Sequence, residues 1–155
     1  MITQESVTNL LEFIRTNQIP DDEVSHYKRV MTYAYQNFKM YKYPLKINEH
    51  YISFVALAHD LIEDGYATID ELMTLVEKTE ENAAFITGII LDLNLLTHNK
   101  SENYLEYIAR IRKNSFISPS AYLVKLADIK DHLSQSSTLT ERLKDKYVRA
   151  LAVLL

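Results

Sequence analysis

The stretch FVALAHDLIEDG, residues 54–65, decides how this chain is read. From Ile52 to Ile62 every residue except Ser53, His59 and Asp60 is apolar. Ionised carboxylates are almost never fully buried without a compensating partner. Glu63 and Asp64 follow one turn later, and Gly65 supplies the stop that helices commonly take. The pattern predicts a helix from about Asn48 to Asp64. At about 100° per residue, Glu63 lies about 40°, Asp60 about 100° and Asp64 about 140° from His59. Four polar groups on one arc of an apolar helix predict a polar cluster at its C-terminal end. Either His59 bonds locally while the acids meet water, or the group holds a metal ion. Neutral imidazole and carboxylate together suit divalent first-row ions.

Outward from this segment the chain reads as helical throughout. Two glycines and three prolines in 155 residues leave little turn chemistry for hairpins. Val7, Leu10, Leu11 and Ile14 form an apolar stripe ending before Pro20. Asp21 and Asp22 are expected to cap a second helix through His26, Val30 and Tyr33. Thr68 with Glu71 reads as a capping box for a short helix to about Lys78. Thr79 and Ser101 are expected to open two more. Ser118-Pro119 puts proline at a first helical position, where its missing N–H costs nothing. Thr138 with Glu141 reads as a further capping box before the last helix. The expectation is an all-α bundle of about eight helices forming one domain over residues 1–155.

Composition limits the function classes. With 47% hydrophobic and 25% charged residues the chain is an ordinary globular one. No cysteine is present, which removes disulfides, thiolate nucleophiles and zinc–thiolate sites. The net charge of −4 without a basic run argues against nucleic acid as partner. No segment has the apolar length of a membrane span, and the N-terminal MITQESVTNLLEFIR lacks the pattern of a signal peptide. A cytoplasmic location and no membrane partner are expected.

Further metal ligands have to come from elsewhere in the chain. His50 is about 180° from His59 on the same predicted helix and is unsuited. His26 lies 33 residues upstream of His59 on the second helix, which can return antiparallel to the site. It reads equally as an exposed histidine among charges. In AYLVKLADIKDHL, residues 121–133, Asp128 interrupts an apolar segment and shares a face with Val124 and His132. It marks either the polar edge of an amphipathic helix or a second carboxylate ligand.

Taken together, His26, the pair His59-Asp60 and Asp128 resemble the H…HD…D pattern of the HD superfamily of metal-dependent phosphohydrolases. HDLIEDGYATIDEL (59–72) and SPSAYLVKLAD (118–128) are similar to segments of the alarmone hydrolases, which remove pyrophosphate from guanosine tetra- and pentaphosphate. The resemblance runs from about residue 22 to 150. KMYKYPLKINEH lacks the His-Pro of the loop that helps hold guanosine in those enzymes, and His132 stands where they place an asparagine.

The resemblance implies that His26, His59, Asp60 and Asp128 hold a divalent ion, manganese by analogy, which activates water for attack on a nucleotide phosphoester. It implies Glu63 and Asp64 as the acid–base pair, with Lys125, His132 and Lys100 toward the substrate phosphates. Lys42 is a further candidate, although Lys42 and Lys100 read more readily as solvated surface lysines. The expected activity is hydrolysis of a small-molecule nucleotide, as pyrophosphate removal from an alarmone-like guanosine nucleotide. The alternatives are an HD-type nucleoside monophosphate phosphatase and a non-catalytic nucleotide-binding or interaction module.

Overall fold

A computed structural model describes all 155 residues. Eight helices follow one another: α1 (Gln4–Thr16), α2 (Asp21–Met40), α3 (Glu49–Ala58), α4 (Ile69–Met73), α5 (Ala83–Leu96), α6 (Tyr104–Lys113), α7 (Pro119–Ser134) and α8 (Glu141–Leu154). There is no strand, so the fold is all-α as the sequence predicts. No helix is long and apolar enough to cross a membrane.

At the centre lies α3. Tyr51, Ile52 and all five residues from Phe54 to Ala58 are buried. A helix apolar on every side has to be surrounded. Here α1, α2, α5 and α7 surround it, while α2 also packs on α7 and α8 covers α6 and α7. All eight helices feed one core, with Leu10, Tyr27, Phe54, Leu72, Ile89, Ile108, Ile129 and Leu154 among its side chains.

Local chemistry sets the ends of the helices. Asn48 caps α3, its Oδ1 accepting from Tyr51 N at 3.0 Å while its Nδ2 donates to Ile2 O at 2.7 Å. The Thr68–Glu71 capping box forms as expected, although α4 stops at Met73 rather than Lys78. Three starts shift by two to four residues. The box before α6 is Asn103–Glu106, not one built on Ser101. Thr140 caps α8, while Thr138 donates instead to Gln135 O. Thr79 accepts from Asn82 N in the turn preceding α5. Asp21 and Asp22 occupy the first turn of α2 behind Pro20 and cap nothing, yet their charges suit the helix dipole there.

The largest departure is at the C-terminal end of α3. Regular α-helix ends at Ala58, six residues before the expected Asp64. The chain tightens at this point: His59 N bonds to Ala56 O and Leu61 N to Ala58 O, each three residues back. It then winds on to Gly65, whose φ of 78° closes it. Tyr66 N reaches Leu61 O at 2.9 Å and Gly65 N reaches Ile62 O at 3.1 Å, the paired bonds of a Schellman motif. Gly65 is therefore the stop the sequence indicated, but the three-residue turns before it change the angular positions of the acids.

A second polar joint ties α3, α5 and α7. The buried Asp92 of α5 accepts from Tyr51 Oη of α3 at 2.7 Å and from Ser120 Oγ of α7. Tyr51 precedes His59 by eight residues, and Ser120 precedes Asp128 by eight. α3 and α7 thus run side by side in the same direction, joined at two levels about 12 Å apart along their axes.

Burial raises the pKa of Asp92 against the hydrogen bonds from Ser120, Tyr51 and Ser118 that lower it. A carboxyl with a raised folded pKa contributes stability that is complete below its unfolded value, near ~3.9. That contribution is lost as pH rises through the folded value. Asp92→Asn keeps an acceptor oxygen and carries no charge. Its stability relative to the parent chain is expected to grow between pH 4 and pH 7 in urea unfolding. A difference that stays constant over that range would contradict the burial of a strained charge.

Candidate metal centre

Three separated segments deliver four donors to one point. α2 brings His26, the tightened turn after α3 brings His59 and Asp60, and α7 brings Asp128. One ligand atom from each lies within 4.8 Å of all the others. His26 Nε2 is 3.2 Å from Asp128 Oδ1 and 3.5 Å from Asp60 Oδ2. His59 Nε2 is 3.1 Å from Asp60 Oδ2 and 3.5 Å from Asp128 Oδ1. Donor spacings of this size match a ligand sphere with bonds of about 2.0–2.2 Å to nitrogen and oxygen.

Each ring is turned by a bond on its far side. His59 Nδ1 donates to Ala56 O at 2.6 Å. The tightening of the chain at His59 brings that carbonyl within reach of the ring. His26 Nδ1 donates to Asp131 Oδ2 at 2.6 Å. Asp131 is itself gripped by Arg29, through Nε at 2.6 Å and Nη2 at 3.1 Å. With both Nδ1 atoms engaged, both Nε2 lone pairs face the common point, the arrangement that metal-ligating histidines use. Asp128 is divided in the same way. Lys125 Nζ takes its Oδ2 at 2.6 Å, leaving Oδ1 for the centre.

The fit to a cation rests on unsatisfied atoms. His26 Nε2, His59 Nε2 and Asp128 Oδ1 are buried and make no hydrogen bond of proper geometry. Buried polar atoms without partners are rare and costly. Three of them converging on one point are accounted for together by a divalent ion.

Electrostatics agree with the geometry. Burial opposes a charge on His26, but Asp128 and Asp60 outweigh it and raise its pKa to about 9. His59 is likewise raised against burial by Asp60 and Asp128. Burial would raise the pKa values of both acids, yet His59 and His26 hold Asp60 low, and Lys125 with the three histidines holds Asp128 far lower. Paired carboxylates this strongly ionised bind protons on the rings, or a cation in their place.

The remaining predicted residues divide between two surroundings. Asp64 lines a cleft of about 570 Å³ together with Asp60, His26 and His132. Its pKa is raised to about 6 by partial burial and by the charges of Asp60, Glu23 and Glu63. Glu63 does not line that cleft. Its Oε1 accepts from His98 N at 2.8 Å, holding the connection between α5 and α6. The two acids therefore do not act on one face: Asp64 lines the cleft and Glu63 meets the α5–α6 connection. His132 is part-exposed, stacks on Tyr147 with ring centroids 4.5 Å apart, and places Nε2 3.1 Å from Asp128 Oδ1. Lys125 is buried against Asp128 and the rings of Tyr104 and Tyr107, so its charge is committed within the protein. Lys100 is exposed on the α5–α6 connection and does not line the cleft. His50 sits beside Glu49 at the far end of α3.

Sequence reading passed over Asp131, Arg29, Glu23 and Tyr27. Asp131 had a signal, since it is a second acid in the buried run of α7 and is 1% exposed on its side chain. Arg29 lies one turn from His26, a spacing that carries no message until Asp131 is known to face both. No known protein-family model and no curated protein matches the chain.

Asp131→Asn keeps the size of the side chain and loses its charge. It is expected to weaken manganese binding about 10–100-fold in calorimetry while leaving the helical circular dichroism intact. Protons compete for the same atoms, so apparent affinity in the parent chain should rise from pH 7 toward about 9, where His26 titrates. An affinity independent of pH in that interval would place the ion elsewhere.

Proposed function

We propose that this chain is a metal-dependent phosphohydrolase of the HD superfamily, acting on a phosphoester or pyrophosphate ester of a nucleotide. The observation that carries the reading is the convergence of buried, unpartnered His26 Nε2, His59 Nε2 and Asp128 Oδ1 beside Asp60. A bound divalent ion, manganese by the resemblance, supplies polarisation of a phosphoryl oxygen and a water acidified to near-neutral pKa.

The protein's own residues do the rest. His26 and His59, oriented by Asp131 and Ala56 O, would hold the ion. Lys125 keeps Asp128 ionised and leaves one of its oxygens available. Asp64 is a cleft carboxylate that is not a proposed ligand and lies next to the turn carrying His59 and Asp60, with its pKa raised to about 6, which suits it to take a proton from the attacking water. His132, which lines the cleft beside Asp128, would meet a phosphate oxygen or the departing oxygen. Glu63 acts at one remove in this account: it positions the segment around His98. Pyrophosphate release from an alarmone-like guanosine nucleotide and orthophosphate release from a monophosphate both use this chemistry, and product analysis tells them apart.

Asp128→Ala is expected to abolish manganese-dependent hydrolysis in a nucleotide screen, and full residual activity would sink the reading. Asp64→Asn should retain the metal and lose about 10²–10⁴-fold in kcat. The parent activity should rise with pH through a limb at or below about 6, because the bound ion's charge lowers Asp64 from that value. That limb should be absent from the variant. Bound manganese with no turnover on any nucleotide would instead favour a binding module.

A further inference from the structure

The end of the bundle remote from the metal centre exposes apolar side chains that a folded chain ordinarily hides. Phe116 is 96% exposed and Ile117 71%. They sit in the turn between α6 and α7, and that turn is closed by hydrogen bonds. Ser118 N reaches Asn114 O at 2.8 Å, Ile117 N reaches the same carbonyl at 3.1 Å, and Arg112 Nη1 donates to Ser115 Oγ at 3.1 Å. The pair is therefore held out in water by a bonded turn. Both line a groove of about 470 Å³ with Leu45, Phe85 and Leu91. Tyr43, 63% exposed, adjoins Pro44 in the α2–α3 connection, which supplies part of the same lining. An exposed apolar patch of this kind marks a docking surface.

Charge decides what docks there. Lys46 lines the groove, Lys42 adjoins Tyr43, and Arg112 and Lys113 precede the Phe116 turn; all four are exposed. The ion pairs of lysine and arginine in this molecule engage Arg15, Arg29, Arg110, Lys125 and Arg149, and none of these four. The one acid of the groove, Asp92, is buried, and Glu80 and Glu81 before α5 lie outside its lining. The metal end is the acidic one, with Asp22, Glu23, Asp60, Asp64 and Asp131 around the cleft. A net charge of −4 conceals this asymmetry. A second copy seated here by two-fold symmetry would set the same cations against each other across the axis, which like charge opposes. A nucleic-acid backbone would satisfy the cations but give Phe116, Ile117 and Leu91 nothing to bury against. An anionic lipid surface takes both: the headgroup–acyl boundary accepts the apolar side chains while lysine and arginine meet the anionic headgroups.

We propose that this end of the bundle is a peripheral docking surface for anionic lipid, with Phe116 and Ile117 inserted at the headgroup boundary and Lys42, Lys46, Arg112 and Lys113 over the headgroups. It goes beyond the hydrolase reading and does not depend on it. Asn37 Nδ2 donates to Leu123 O at 3.1 Å, which keeps the end of α2 beside the start of α7. His26 is fourteen residues before Met40 and Asp128 nine after Pro119, so the metal centre stands about 14–21 Å back along the two helices. The docked chain presents its cleft to the water, and the acids of that cleft, repelled by the same lipids, favour this orientation.

The test uses the full chain and vesicles of phosphatidylcholine with and without about 30% phosphatidylserine, in about 0.1 M salt. Sedimentation is expected to show at least about tenfold tighter binding to the anionic vesicles, most of it lost at about 0.5 M salt. Phe116→Asp should weaken that binding at least about tenfold and leave the helical circular dichroism unchanged, since the side chain it replaces is already in water. Lys42→Gln combined with Lys46→Gln should cost about fivefold per charge removed. The chain has no tryptophan, so Phe116→Trp gives a sole reporter whose emission should shift to the blue on anionic vesicles. Equal binding to neutral and anionic vesicles, parent affinity retained by Phe116→Asp, or a reporter emission that does not move overturns the proposal. Failure to bind vesicles at all overturns it as well, and a dimer dissociated by Phe116→Asp would then assign the face to a second copy.

Discussion

One buried and one half-buried carboxylate brought to one point with two imidazoles cannot coexist without a shared positive charge. Everything around the centre is arranged to keep them there nevertheless. Taking a carboxylate out of water is costly unless charge and hydrogen bonds return what solvation provided. Lys125 returns part of it to Asp128, and the histidine rings return part to both acids. What remains unsatisfied is the set of inward-facing atoms, and that residue of unspent bonding capacity defines the site.

The supporting bonds are more informative than the ligands. A histidine with two free nitrogens is a poor positional device, since either can bind and the ring can turn. Here the backbone of Ala56 settles the orientation of one ring and the Arg29–Asp131 pair settles the other. The first depends on a local irregularity, because a uniform helix would direct the Ala56 carbonyl at the amide four residues on. Tightening at His59 offers that carbonyl to the ring instead. The geometry of the centre is thus partly a consequence of how α3 ends.

Much of this was legible in the residues. The number and class of elements follow from apolar periodicity and scarce turn residues, and Gly65 announces its own stop. His59, Asp60 and Asp128 stand out as polar groups interrupting apolar runs, a signal that survives without knowledge of packing, whereas His26 lies among charged neighbours and gives no such signal. Boundaries were less legible where several capping residues compete: Thr138 and Thr140 are both plausible caps, and only the geometry selects the second. The separation of Glu63 from Asp64 was not legible at all, because an angular argument assumes a uniform helix. Nor was the pairing of Arg29 with Asp131, two residues about a hundred positions apart whose relation exists only in the packed bundle.

The joint at Asp92 has a mechanical meaning for the distant centre. Because α3 and α7 are fastened near their beginnings by Tyr51, Asp92 and Ser120, neither rod is free to slide past the other. Their far ends, which carry His59 and Asp128, inherit that alignment from hydrocarbon packing and the hydrogen bonds to Asp92 rather than from a metal ion. The claw is therefore set without its cation: an incoming ion would meet a pocket whose entropy of assembly was already spent in folding, and its removal would leave the frame standing.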